Sequence, residues 1–280
     1  MSERLADISA RIDGISDLGA VVNAMKGIAA ARAHVARSQV DAVDSYAGII
    51  AAAMSRVMGP ESRTRPNRDA VKSGLLVFCA EQGFAGAFSE RVLDSIDASL
   101  DPETLFLIGT RGLSIAQARA LDPHWTAPLP SHTAGIPKLA DKITTAIYAA
   151  VDQGRIDALE VIFTGWEAGR PTLVRQRLFP IDLSDLEPAT KERPVMQLPS
   201  YTLLTSFGQD YFNAQVCKSA LHAFAAENEA RMEAMTSAAR QIAREMEEFQ
   251  ARLRRVRQEA ITAEIIELST GVASNSGRAK

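Results

Sequence analysis

Two long stretches of this sequence repeat apolar side chains in alternating steps of three and four. The first passes through Leu5, Ile8, Ile12, Ile15, Gly19, Val22, Lys26, Ala29, Ala33, Ala36, Val40, Val43, Ala47, Ile50, Met54 and Val57. Only Lys26 breaks its apolar character, and Gly19 is merely small. The second passes through Met232, Met235, Ala239, Ile242, Met246, Phe249, Leu253, Val256 and Ala260. On an α-helix such positions fall on one stripe, and a stripe kept over several heptads is a coiled-coil seam. Asp210 to Val272 holds no proline, and its one glycine is Gly271 near the end. As a single helix this stretch is on the order of 95 Å long. A compact globule of this chain length has a radius of gyration of about 19 Å. The helix must therefore project from any domain it belongs to.

The first stretch carries Gly14, Gly19, Gly27 and Gly48, each costing about 1 kcal/mol against alanine in a helix. Tertiary contact has to offset that cost. Small knobs from Ala29 to Ala36 let a partner helix approach closely. One long seam at each end of the chain predicts that the two helices pair antiparallel, with the middle of the chain inserted at one end of the pair. Pairing between two chains of a dimer is the alternative. Packing of each helix on a globular core is the other, and the seams are too long for it.

Between the seams the pattern changes. Gly59 to Ser73 is polar, basic and proline-bearing, and reads as a linker or loop. Gly74 to Cys79 is a short continuous apolar run, as for a strand buried on both faces. Further strands are expected at Thr104–Ile108 and Ala158–Thr164, with an edge strand at Thr172–Leu183. Helices are expected at Ser89–Ser99, Leu113–Leu121 and Ile136–Val151, the last with Pro137 at a tolerated first-turn position. Leu186 to Pro199 reads as an irregular return loop. The alternation predicts a mostly parallel sheet. The expected fold class is α/β: a long antiparallel coiled coil of N- and C-terminal helices with an inserted small Rossmann-like α/β domain. Its expected segments are 1–58, 74–200 and 208–273.

Composition narrows the function. A net charge of −3 and a pI near 5.9 give no footprint for nucleic acid. Cys79 and Cys217 are the only cysteines, and the chain opens directly into a helical pattern with no signal-like segment, so reduced thiols in the cytosol are expected. No apolar run nears the roughly 20 residues that span a bilayer. There is no G-x-x-x-x-G-K-[ST] loop and no G-x-G-x-x-G. Gly83-Phe84-Ala85-Gly86 follows a strand, but its spacing fits a tight turn rather than a dinucleotide loop. His34, His124, His132 and His222 lack metal-ligand spacing, and the acidic residues form no pair suited to acid–base work. No catalytic, cofactor or metal site is expected. The last helix instead alternates Arg231, Arg240, Arg244, Arg252, Arg254, Arg255 and Arg257 with glutamates. That is either a solvated face with weak intrahelical pairs or an axle surface that makes and breaks modest contacts.

These residues resemble a family. Glu227-Asn228-Glu229-Ala230-Arg231-Met232-Glu233-Ala234-Met235, then Arg257-Gln258-Glu259-Ala260-Ile261-Thr262-Ala263-Glu264-Ile265-Ile266-Glu267-Leu268 and Gly271, are similar to the C-terminal motif of F-type ATP synthase gamma subunits. Arg11-Ile12, Ile15, Ala24-Met25 and Ala29-Ala30 are similar to that family's opening helix, and Glu81 to Ser89 to its central glycine turn. The resemblance covers essentially the whole chain. It implies a central-stalk rotor shaft that couples ion flow to ATP synthesis or hydrolysis in an alpha/beta head, without a catalytic site of its own. It implies alpha, beta and epsilon subunits and a c-subunit ring as partners, no direct membrane insertion, and a peripheral place on the cytoplasmic side of a bacterial membrane. By matched position, Arg257 and Gln258 are expected to hold a beta-subunit loop, and Met25 to lie near a beta acidic segment. Arg231, Thr262 and Glu264 are expected to form a polar set coupling the two helices.

The sequence departs from the family at Arg240-Gln241, Arg254, Ala20 to Asn23 and Glu81-Gln82. This implies a divergent branch, with an alternate or sodium-type ATPase as one form of it. A non-rotary coiled-coil scaffold with an α/β head is the competing reading. An α/β enzyme dimerised by its helices is a third.

Overall fold

A computed structural model describes residues 2–58, 72–97, 100–167, 170–181 and 195–276, with side chains at 5–58, 72–97, 100–165, 170–181 and 195–267. Both seams form helices. α1 is Ser2–Met58 and α5 is Ser200–Ser276. Every seam position of α1 from Leu5 to Val57 is buried or half-buried, and so is every seam position of α5 from Met232 to Ala260. The chain forms two compact units, Met1–Gly27 with Glu233–Lys280, and Ile28–Met232.

In the first unit the start of α1 packs on the end of α5. The Arg11 guanidinium lies 5.9 Å from the Phe249 ring centroid. A Cβ placed on Gly19 would meet Ile242 Cγ2 at 3.4 Å, an ordinary contact, so the helix packing here does not itself demand glycine. As numbers rise along α1 they fall along α5, which is antiparallel pairing. Ile8, Ile15, Val22, Met235 and Val256 are buried.

The second unit pairs the same helices in the same sense. Arg37 of α1 is ion-paired with Glu229, and Asp44 with Lys218 at 2.7 Å. Ile50 and Met54 pack with Leu204, Phe207 and Tyr211. Ala29, Ala33 and Ala36 are 0–1% exposed, as small knobs at a close helix approach should be.

This unit also holds a five-stranded sheet in the order β3-β2-β1-β4-β5. The strands are β1 Ser73–Phe78, β2 Leu105–Ile108, β3 Trp125–Ala127, β4 Ala158–Glu167 and β5 Arg170–Phe179. All neighbours are parallel except β5, which is antiparallel to β4. Three helices accompany it: α2 Phe88–Leu93, α3 Thr110–Ala118 and α4 Ile136–Asp152. Leu76, Phe78, Phe106 and Ile108 face Ile143 and Ile147 of α4, Phe212, Val216 and Phe224 of α5, and Ala36 and Val40 of α1. Leu75, Val77, Leu105 and Leu107 face Val92 and Leu93 of α2 and Ala116 of α3. Both faces of the central strands are thus covered, which is why they read as unbroken apolar runs. The two long helices form part of the sheet's own core.

Several expectations shift. β3 is unforeseen: three residues between Pro123 and Pro128 are too few to show a two-residue period. α5 begins at Ser200 and passes through Gly208, where the expected helix started later. A Cβ on Gly208 would touch only Ile181 Cδ1 at 3.9 Å. α2 ends at Leu93, short of Ser99, and residues 98 and 99 lie outside the described residues. The expected loop at 59–73 falls outside them up to residue 71, and the return loop up to residue 194.

Cys79 and Cys217 are free thiols. Burial pushes Cys79 up to about 12, and burial with the nearby Asp141 charge pushes Cys217 up to about 11. A thiol whose folded pKa is raised keeps its share of stability below the unfolded pKa. It loses that share as pH climbs through the folded value. The urea midpoint is therefore expected to fall from pH 9 toward pH 11. At pH 8 the native protein should resist iodoacetamide at both thiols, while denatured chain is alkylated fully by mass spectrometry.

Candidate functional site

The turn after β1 is keyed to α5 by a buried polar group. Ala226 and Ala230 of α5 pack with Ala80, Ala85 and Phe88, bringing the turn onto the helix. Beside them Glu227, Asn228, Glu229 and Arg231 are all under 7% exposed. The Glu227 carboxylate accepts from the backbone N–H groups of Glu81 (3.1 Å) and Gln82 (3.2 Å) and is ion-paired with Arg231. Arg231 donates to the carbonyls of Gln82 (3.3 Å) and Gly83 (3.2 Å) and to Asn228 Oδ1 (3.1 Å). Asn228 donates to the Phe224 carbonyl. One positive and one negative side chain are thus buried together with their hydrogen bonds met, the condition under which burial of charge is tolerated.

The same turn reaches across the strand ends. Glu81 accepts from the Thr110 N–H (3.0 Å) and hydroxyl (2.8 Å) at the start of α3, and from the Leu129 N–H (2.8 Å). In a doubly wound sheet this mouth and helix start commonly receive an anionic ligand. Here a side chain of the protein satisfies those donors. Gly109 lets the strands close beneath it: at φ +109°, a Cβ there would sit 2.5 Å from the Cys79 carbonyl oxygen.

Held in this way, the turn presents Phe84, which has φ +61° and is 68% exposed. A bulky residue in the left-handed region persists only where its surroundings fix it. Large apolar side chains are also exposed along α1. Leu18 and Val21 lie in the first unit, and Ile28, Val35, Tyr46 and Ile49 in the second. All six, with half-buried Met25, fall on a second walk of threes and fours beside the seam. Sequence reasoning took only the first walk, because a helix shows both periods at once and only burial separates them. Within each unit these exposed apolar groups are candidate contact positions.

The expected site residues separate by unit. Arg231 is in the second unit, buried, and meets groups of its own chain. Met25 is half-buried on α1 in the first unit. Arg257, Gln258, Thr262 and Glu264 are exposed on α5 in the first unit, where the Thr262 hydroxyl donates to the Gln258 carbonyl (2.8 Å). Ile261, Ile265 and Ile266 are exposed among them. No group of three metal-binding side chains occurs among the described residues. His222 stacks on Phe163 with centroids 5.5 Å apart, and His124 meets Arg155.

A family model described as ATP synthase matches residues 4–274. An ATP synthase gamma chain of Moorella thermoacetica is 26% identical, covering 95% of this chain and 97% of that one. One from Frankia casuarinae is 27% identical, covering 97% of each. Among solved structures, a chain of the Euglena gracilis mitochondrial ATP synthase F1/c-ring aligns with a TM-score of 0.65 at 13% identity, over 100% of this chain and 97% of that one. A chain of the Tetrahymena thermophila ATP synthase central stalk and c-ring aligns with a TM-score of 0.55 at 19% identity, over 78% and 99%. At those identities the structures speak for the fold alone. Identities of about a quarter fit a divergent branch, and nothing in these matches supports a sodium-type assignment. With the family model spanning nearly every residue, and gamma chains as its full-length relatives, this chain belongs to the ATP synthase gamma chain family.

Proposed function

We propose that this chain transmits torque as the central stalk of an F-type ATP synthase, with its exposed helix surfaces bearing on the alpha and beta subunits of the head. The chain is a non-catalytic subunit of that complex, and its family membership carries this. No helix among the described residues is long and apolar enough to cross a membrane. Membership of this family supports a peripheral place on the cytoplasmic side, against a c-subunit ring and an epsilon subunit.

The observation that best supports transmission is the buried Glu227–Arg231 group. It ties the turn and the strand ends to α5 without a flexible joint. Torque applied to the sheet passes into the helix through contacts that must break before the two can slip. At the other end of α5, Arg257 and Gln258 are free to face outward, where a guanidinium and an amide can hold loop carbonyls or carboxylates of beta. Met25, Thr262 and Glu264 lie on the same unit and complete this contact surface. Arg231 acts within the second unit, where it fixes the turn that carries Phe84.

Alanine at both Arg257 and Gln258 is expected to lower ATPase activity of a reconstituted alpha–beta–gamma assembly at least tenfold. The helicity of the isolated chain should stay within a few per cent, because neither side chain is buried. Unchanged activity in that assembly would remove these residues from the contact surface. Full activation of an alpha–beta head without this chain would remove the shaft role itself.

A further inference from the structure

A groove runs along one face of α4, away from the surfaces described above. It has a volume of about 630 Å³ and lies between α4 and the short edge strand β3. Its α4 side repeats at helical spacing from Lys138 to Gln153, so it is on the order of 22 Å long. Ala146, Ala149 and Ala150 leave it open, because a longer side chain at any of them would fill it. Phe106 and Trp125 form the facing wall, their rings 6.4 Å apart. The size suits a small-molecule site, with apolar walls of alanine and aromatic side chains and polar groups of α4 beside them.

The charges are concentrated at one end. Lys138 and Lys142 are one turn apart on α4, and neither has an ion-pair partner among the described residues. Asp141 stands between them, and its Oδ1 is occupied by the Asn213 amide at 3.0 Å. At the far end, beyond Gln153, His124 meets the Arg155 guanidinium at 2.9 Å. At the near end two lysines against one hydrogen-bonded carboxylate leave an excess of positive charge beside the apolar walls.

We propose that this groove binds an extended amphipathic carboxylate, with its alkyl body along the alanine and aromatic walls and its carboxylate between Lys138 and Lys142. Lysine stems line the entrance while their ammonium groups stay at the water edge, the arrangement that admits a chain and holds its head. A neutral or cationic amphiphile of equal length lacks the ion pairs and binds less well.

The test is calorimetric titration of the full chain with sodium dodecanoate below its micellar concentration. One saturable site per chain is expected. The Lys138→Ala/Lys142→Ala variant should bind at least tenfold more weakly, with an unchanged circular dichroism spectrum. Ala149→Trp, from an exposed position, should abolish binding by filling the groove. Dodecyltrimethylammonium of the same chain length should bind at least tenfold more weakly than dodecanoate. No saturable binding, equal affinity for the cationic amphiphile, or an unaffected lysine variant would each overturn the proposal. Vesicles of anionic phospholipid distinguish a membrane source from a free one. Co-sedimentation that the lysine variant abolishes would overturn the free-ligand proposal, and its absence alongside dodecanoate binding supports it.

Discussion

Arg231→Ala is expected to destabilise the second unit by about 3–5 kcal/mol, because it leaves the Glu227 carboxylate buried without its counter-charge. Glu227 is 2% exposed and Arg231 6%, so water cannot take over the lost partner without opening the turn. The carbonyls of Gln82 and Gly83 lose their donors in the same step. Urea denaturation at pH 7 reads the loss as a lower midpoint. A paired variant, Glu227→Gln with Arg231→Met, removes both charges and should recover more than half of it. Such recovery separates an uncompensated charge from a simple cavity. If the cluster keys the turn to α5, the single variant should also lower the ATPase of the reconstituted assembly by more than its remaining folded fraction explains.

Ala33→Leu should be the most damaging change in the helix pairing. Ala33 is 0% exposed and flanked on the seam by Ala29 and Ala36, at 1% and 0%. Three added carbons have no space at a close helix approach, and overpacking of this kind costs about 1–3 kcal/mol. Ala31→Leu is the control. It lies on the exposed side of the same turn and should shift stability by less than about 0.5 kcal/mol. Equal effects from the two variants would mean that the alanine run is not a close-packing device.

The seams were readable because helix periodicity over many turns is a redundant signal. Every position on both seams proved buried or half-buried, Lys26 included. The central strands were readable because both faces are covered, which forces unbroken apolar runs. What escaped was short or relational. β3 has three residues and no period to detect. The partnership of Glu227 and Arg231 with the turn at 81–83 joins positions nearly 150 apart in the chain, so no spacing rule finds it. The motif resemblance singled out Arg231 but gave no sign of its bonds to the turn. The filled mouth above β1 and β2 was half visible: no phosphate-loop pattern stood there, yet only the geometry shows Glu81 taking the donors.

The most direct test of the shaft account is to watch this chain turn. A bead attached at exposed Phe84, replaced by cysteine in a variant free of other reactive thiols, reports motion of the turn in an alpha–beta–gamma assembly fixed through its beta subunits. With ATP the bead should rotate in one direction, and a covalent link between gamma and beta should stop both rotation and turnover. Sustained ATP hydrolysis with the bead stationary, or unchanged hydrolysis after linking, would contradict it.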